Sequence, residues 1–371
     1  MVDGETCPLC GKEAIDVFSI PYPLFEHREF ESISDGPSFL GQCRECKAVF
    51  RNDEDGISAK IDDIYRRNEY VTRREPLHTV FAEEFGELKT MPFLQAELLA
   101  PYIPDRDAAI LDIGCFDGRL LRELSGRYDE ADLCGFDVSE ETRTRFPKGK
   151  GFRFVSGSLE DVTGSFDLVV LSHSIQYIRR LGDLFGHMGR LLKPGGTLFV
   201  QVPDLNLRPT SLLFGDLHFH FTQAVLESMF ATFSFSCSFL DNHWFPRDLL
   251  AAGRMGQADE RQDFQTNASI ESALAYLDAM REKLESLSKD SRIGVLGTTI
   301  DAAFVDSVLG DEVAFFMEEN EEKVGGIFHG KPILSPDEVA ASDWVLLPMG
   351  EMAETVSARL SREYEGQYIC V

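Results

Sequence analysis

The chain has 371 residues, 43% hydrophobic and 27% charged, which is enough for two to three domains at about 150 residues each and excludes collagen-like, coiled-coil and disordered classes. Thirty-six Lys and Arg against 63 Asp and Glu give a net charge of −27, a field that repels nucleic-acid backbones and anionic membrane surfaces. No apolar run reaches the roughly 18 residues of a membrane span, and Met1-Val-Asp-Gly-Glu5 lacks the basic-then-apolar start of a signal peptide, so a cytoplasmic location without a membrane partner is expected.

From the amino end, the first pattern is in the cysteines. Of eight, four form the pairs Cys7-Pro-Leu-Cys10 and Cys43-Arg-Glu-Cys46, and the others are scattered, which is not how a disulfide framework is spread. A Cys-x-x-Cys turn sets two thiolates on one side, and two such turns complete the tetrahedral cage of structural zinc. A hairpin accommodates the 32 residues between the pairs. Residues 1–62 are therefore predicted to be a zinc-ribbon module with Cys7, Cys10, Cys43 and Cys46 as ligands.

From about Leu88 to Phe245, short apolar runs alternate with amphipathic stretches, the pattern of an α/β fold with a doubly wound, Rossmann-like sheet. Strands are predicted at 108–112, 133–137, 152–155, 166–171 and 197–202, with a glycine turn, Gly114-Cys-Phe-Asp-Gly118, after the first. Ligands of such sheets bind beyond the carboxyl ends of the strands, near that turn. Asp137, ending the second strand, is placed to accept hydrogen bonds from ribose hydroxyls. NAD and S-adenosylmethionine both fit this outline. A dinucleotide fingerprint, however, needs a second glycine where Phe116 stands, and Asp112 suits a ligand carrying a sulfonium and an ammonium group better than a pyrophosphate. The residues thus favour S-adenosylmethionine.

Residues 246–290 read as a helical linker, with Ile270, Leu274, Leu277, Met280 and Leu284 at helical spacing. Residues 291–371 form a second, smaller α/β pattern with strands at Arg292-Ile-Gly-Val-Leu-Gly297, Val313-Ala-Phe-Phe-Met317 and Trp344-Val-Leu-Leu347. The first of these ends in a glycine turn and the second runs into Glu318-Glu-Asn320, features expected here to be remnants of the fold, with the domain supplying a wall or an oligomer contact.

Three motifs in order make residues 63–245 resemble a class I methyltransferase domain with a helical lead-in: Ile110-Leu-Asp-Ile-Gly-Cys-Phe-Asp-Gly118, Gly135-Phe-Asp137 and Leu191-Leu-Lys-Pro-Gly-Gly196. The resemblance implies a cofactor shell of Asp112, Gly114, Cys115, Phe116 and Gly118, then Asp137 and Val138, with Ser158 and Leu159 flanking the adenine and Ser172 and His173 near the methionine end. The whole order of ribbon, methyltransferase core, helix and small Rossmann-like domain resembles the sugar C-methyltransferases that act on nucleotide-linked keto-deoxysugars.

Methylation at carbon needs a base for the proton beside the carbonyl and donors for the enolate oxygen. In Phe214-Gly-Asp-Leu-His-Phe-His-Phe-Thr222, alternation would aim Asp216, His218 and His220 to one side. The sugar enzymes carry a segment similar to Tyr-x-Glu-His-x-x-Tyr-Phe-Ser; aligned on it, Asp216 keeps the carboxylate, Phe214 and Leu217 replace the tyrosine and histidine, and His218 offers an imidazole one residue along. By the same resemblance Tyr177 stands where those enzymes carry histidine, and Tyr65 and Tyr70 match an aromatic pair that closes over the substrate.

The expectation is a methyltransferase of a small molecule, with a nucleotide-linked sugar as the favoured acceptor and carbon, oxygen and nitrogen all open as the methylated atom. One rival is a protein or RNA methyltransferase that docks through the ribbon, but residues 1–100 hold 11 basic and 20 acidic side chains, against a nucleic-acid partner. The other is a non-catalytic S-adenosylmethionine-binding protein, supported by the altered base residues. The charge is lowest around the predicted site: −9 over residues 1–100, −5 over 101–245 and −13 beyond.

Overall fold

Each Cys-x-x-Cys pair closes as a tight knuckle. Gly11 N donates to Cys7 O at 2.8 Å and Lys47 N to Cys43 O at 3.0 Å, and the residue after each second cysteine, Gly11 or Lys47, takes a left-handed backbone with φ of 71° or 62°. The computed structural model describes residues 6–26, 30–34, 38–52, 79–82, 84–256, 270–287 and 291–371. Two compact units emerge: Met1–Ser19, Phe39–Arg208 and Asp216–Ala268 form the first, and Ile20–Ser38, Pro209–Gly215 and Ser269–Val371 the second.

In the first unit the ribbon strands are β1 (Ile15–Ile20), β2 (Ser38–Cys43) and β3 (Val49–Arg51), followed by the hairpin β4 (Thr79–Ala82) and β5 (Glu87–Thr90) and by helix α1 (Met91–Leu99). The core continues through β6 (Ala109–Ile113), α2 (Arg119–Ser125), β7 (Asp132–Asp137), β8 (Phe152–Ser156), β9 (Phe166–Ser172), α3 (Leu181–Leu191) and β10 (Leu192–Pro203). It ends with β11 (Phe219–His220), α4 (Gln223–Thr232), β12 (Ser238–Phe239) and β13 (Asp248–Arg254). All five strands expected of the core are present.

The main sheet has the order β12-β13-β10-β9-β6-β7-β8. Strand β6 pairs in parallel with both β7 and β9, so the chain winds outward in both directions from it and leaves a switch point at its carboxyl end. Burial follows the pleat. Leu111, Ile113, Val169, Leu171, Val200 and Val202 point into one apolar cluster, and Ile110, Leu168, Val170 and Phe199 into another on the opposite face. A sheet covered on both sides reads as continuous apolar runs, and that is why these strands are visible in the sequence.

Two boundaries read from the sequence are corrected. Residues 248–254 are not linker but strand β13, antiparallel to β10 from Thr197↔Arg254 to Pro203↔Asp248. Asp-Leu-Leu-Ala-Ala-Gly-Arg carries no alternation because its first six residues are all buried. Gly253 is required there: a Cβ would lie 2.0 Å from the Ser236 carbonyl oxygen. The ribbon is likewise not confined to residues 1–62. Its sheet has the order β1-β2-β3-β11, with Phe219 opposite Phe50 and His220 opposite Val49, while Ile20–Ser38 belongs to the second unit.

The second unit contains helix α5 (Ile270–Glu285), β14 (Ile293–Leu296), α6 (Ile300–Leu309), β15 (Val313–Met317), β16 (Ile327–Phe328), β17 (Lys331–Leu334), β18 (Trp344–Leu347), α7 (Ala353–Glu363) and β19 (Gln367–Cys370). Helix α5 is thus part of this unit and not a linker. The sheet order is β16-β17-β15-β14-β18-β19, parallel except for the β16–β17 edge. Glu318, just past β15, accepts from Thr298 N at 2.9 Å, Thr298 Oγ1 at 2.7 Å and Lys323 Nζ at 3.0 Å. The acidic strand end that mimics a nucleotide site therefore ties the glycine turn to its own lysine.

Candidate active site

At the switch point the backbone is shaped around absent side chains. Gly114 has φ of 81°, and a Cβ on it would sit 2.5 Å from the Ser174 Cβ, so the turn after β6 packs directly on the segment after β9. Gly114 N and Cys115 N both donate to Phe136 O, at 2.7 and 3.1 Å. Gly118, at φ of 70°, starts α2. Asp137, at the end of β7, accepts from Phe116 N at 3.1 Å and from Ser139 N at 3.0 Å, which fixes its carboxylate across the mouth of the turn. Val138 is exposed beside it. Cys115 is buried, and burial pushes its thiol well above the ordinary range, so it is a packing residue and not a nucleophile.

Asp112 is the unusual group. Its side chain is buried on β6, and no described residue hydrogen-bonds its carboxylate. Burial, with the Asp137 charge as a second cause, pushes it up to about 7. A carboxyl so placed holds a proton near neutral pH and is ionised fully when a cation lies against it. Two acidic groups at a glycine turn thus fit a ligand that offers hydroxyls to one and positive charge to the other. Of the other residues expected around the cofactor, Ser158 is exposed and caps the short turn at Leu159, accepting from Glu160 N at 3.2 Å.

Beyond β9 lies a chain of polar contacts. Gln95 Nε2, from α1, donates to Ser172 Oγ and Gln201 Oε1, each at 2.8 Å. Gln201 Nε2 donates to Asp248 Oδ2 at 2.7 Å, and His173 Nε2 lies 3.0 Å from that same oxygen. Gln95, Gln201 and Asp248 were not singled out from the sequence. The available signal for the last was a carboxylate opening a buried apolar run.

The segment 216–220 is brought to the same edge. His218 N donates to Gln176 O at 2.8 Å, and Arg51 N donates to His218 O at 3.0 Å. The β3–β11 register puts Arg51, His218 and His220 on one face of the ribbon sheet, while Phe50 and Phe219 enter the core. Asp216, His218 and His220 are all buried. Among the described residues neither ring nitrogen of His220 has a hydrogen-bond partner, and burial, helped by the Arg51 charge, lowers it to about 3. A ring so buried is held neutral. Tyr177 is half-buried on the short turn that contains Gln176. Tyr65 and Tyr70 lie outside the described residues.

The four paired cysteines form a separate cluster, their sulfurs all within 4.8 Å of one another. Cys7 and Cys46 sulfurs are 3.5 Å apart and Cys10 and Cys43 sulfurs 3.6 Å. A tetrahedral tetrathiolate with metal–sulfur bonds of about 2.3 Å has edges of about 3.8 Å, so the donor set has the spacing such an ion needs. The hydrogen bond between Cys7 and Cys46 lowers the first thiol and raises the second, as two thiols held in contact do.

Residues 88–251 match a protein family described as a methyltransferase domain. Two curated relatives are trans-aconitate 2-methyltransferases. That of Acidovorax ebreus is 33% identical over 141 residues, 36% of this chain and 53% of that protein. That of Deinococcus radiodurans is 29% identical over 124 residues, 33% of this chain and 48% of that protein. The chain spans about half the length of the curated relatives it matches. Among solved structures, an S-adenosylmethionine-dependent methyltransferase from Mesorhizobium loti is 18% identical, covers 43% of this chain and 96% of that one, and has a TM-score of 0.35. Residues 88–251 are thus similar to a methyltransferase domain, and their strands form an α/β, Rossmann-like sheet.

Proposed function

We propose that this protein transfers a methyl group from S-adenosylmethionine to a small acceptor, with a nucleotide-linked sugar as the acceptor class. The single observation that carries the cofactor reading is the pair Asp112 and Asp137 at the glycine turn, one buried without a described hydrogen-bond donor and one held across the turn mouth. Asp137 would take the ribose hydroxyls and Asp112 the cationic end. Gly114 and Gly118 admit the cofactor to the backbone, Val138 and Leu159 cover the adenine edge, and Ser172 and His173 stand toward its methionine end. When bound, the cofactor supplies an electrophilic methyl, and the chain's own task is alignment.

On the acceptor side the reading assigns Asp216, His218 and Tyr177, with Arg51 supplying positive charge in an otherwise acidic chain. Tyr177 N donates to Ser174 O at 3.1 Å and His218 N to Gln176 O at 2.8 Å, which ties two of these groups to the segment that packs on Gly114 and supports an acceptor with anionic and hydroxyl groups. We assign zinc to Cys7, Cys10, Cys43 and Cys46 as a structural ion, since four thiolates leave no open coordination position.

Calorimetric titration with S-adenosylhomocysteine tests the cofactor reading. Wild type is expected to bind, and Asp137→Ala to bind about 10- to 100-fold more weakly, the loss of hydrogen bonds to a charged group; no wild-type binding would overturn the reading. Radiolabelled methyl transfer to a panel holding deoxyribonucleoside diphosphate keto-sugars and trans-aconitate tests the acceptor. Labelling of trans-aconitate alone would reject the sugar.

A further inference from the structure

The seventh strand of the main sheet has a chemical consequence. Because β13 runs antiparallel to β10, its first residue, Asp248, pairs with Pro203 at the carboxyl edge of the parallel strands, where ligands of doubly wound sheets bind. There it meets His173, the residue that follows β9. Gly114 packs on Ser174, the very next residue, so His173 stands beside the cofactor turn. Its backbone has φ of 49°, a left-handed conformation uncommon for a side-chain-bearing residue, which the fold holds through a 2.9 Å bond from His173 N to Gln201 O.

The two side chains differ in a useful way. Asp248 is only 9% exposed, whereas the His173 ring is 38% exposed. The ring is thus anchored by Nε2 on a buried carboxylate and open elsewhere. Asp248 is itself fixed by Gln201 Nε2 at 2.7 Å. Burial alone would raise that carboxyl, but His173, Gln201 and Arg208 together bring it below the usual carboxylate range, so it is charged at neutral pH. Among the described residues Asp204 and Arg208, from the loop after β10, are the other charged groups that act on Asp248. A charged carboxylate accepting from Nε2–H selects the tautomer whose Nδ1 carries a lone pair.

We propose that His173 is the general base of the methyl transfer and Asp248 its positioning residue. The proposal rests on the methyltransferase reading above. Nδ1 takes the acceptor's proton while the acceptor's electron pair forms the bond to the methyl carbon. The carbon–sulfur bond breaks with its pair on sulfur, which becomes a neutral thioether, and the imidazolium, stabilised by Asp248, returns the proton to water. This arrangement removes the need for an imidazole at Leu217, where the sugar enzymes' segment has its histidine.

Nitrogen-15 NMR of the histidine rings tests it in the full chain without a known acceptor, with His173→Asn identifying the signal; asparagine tolerates the left-handed backbone. In the free protein the ring is expected as the Nε2–H tautomer. Its pKa should be about 0.5 to 2 pH units lower in the S-adenosylmethionine complex than in the S-adenosylhomocysteine complex, the effect of one positive charge about 6 Å away at an effective dielectric of 80 to 20. Asp248→Asn should abolish the preference for the Nε2–H tautomer, and if that variant fails to fold the wild-type comparison decides alone. Equal pKa values in the two complexes, or an Nδ1–H tautomer, overturn the base while leaving the methyltransferase reading standing. Binding of neither ligand overturns both.

Discussion

Asp112 shows how one residue couples stability to ligand charge. Its carboxyl is raised by burial and by Asp137 to about 7, so in the ligand-free protein its contribution is fully present below the unfolded pKa near 4 and is lost as pH rises through 7. Asp112→Asn should therefore raise the stability of the free protein at pH 8, by up to about 4 kcal/mol, and leave it unchanged at pH 4; thermal unfolding at the two values checks this. The same substitution should weaken S-adenosylmethionine more than neutral-sulfur S-adenosylhomocysteine. Equal weakening would mean that Asp112 meets only the shared ammonium group.

At the scale of elements, the site depends on close approaches that only glycine permits. Gly253 lets β13 lie against Ser236 and Phe230, and so holds Asp248 at the sheet edge. Gly253→Ala is expected to cost about 2–4 kcal/mol in urea unfolding, since the Ser236 carbonyl that its Cβ would strike is backbone and cannot rotate away. Gly114→Ala meets Ser174 in the same manner and adds left-handed strain at φ of 81°. The glycine turn and the five core strands are legible in the sequence because their signals are local: an apolar run, then glycines, then a carboxylate. Strand β13 is not, because Asp-Leu-Leu-Ala-Ala-Gly-Arg holds only two large apolar residues among poor strand formers, and its antiparallel partner is some 50 residues away in sequence. The ribbon's fourth strand, β11, is two residues long and has no pattern of its own.

For the whole molecule, the four-cysteine cluster and the second unit make separate predictions. Cys7, Leu9, Cys43 and Cys46 share one apolar cluster with Val200, Leu226 and Met229, so the four-cysteine cluster to which zinc is assigned above is built into the first unit's core. Stripping the ion with a chelator should release about one zinc per chain and lower the melting temperature of the entire first unit. A ribbon that detached with the rest unmelted would contradict this packing. In the second unit Leu360 is fully buried on α7, and Leu360→Ala should cost about 2–5 kcal/mol there. S-adenosylhomocysteine should raise the transition of the first unit alone, through mass action on the state that binds it, with its affinity unchanged in Leu360→Ala.

The sequence by itself determined the α/β class, the Cys-x-x-Cys pairs, the glycine turn and the two carboxylates beside it, since each is written in a few adjacent residues whose conformational preferences are local. Tertiary structure alone decided which of the polar side chains meet. The alternation of Asp216, His218 and His220 predicted a shared face but not that His220 would be sealed from solvent, because burial is set by what packs on top. The partnership of His173 with Asp248 joins residues far apart in sequence through a strand that has no periodic signal, and only the sheet register brings them within 3.0 Å.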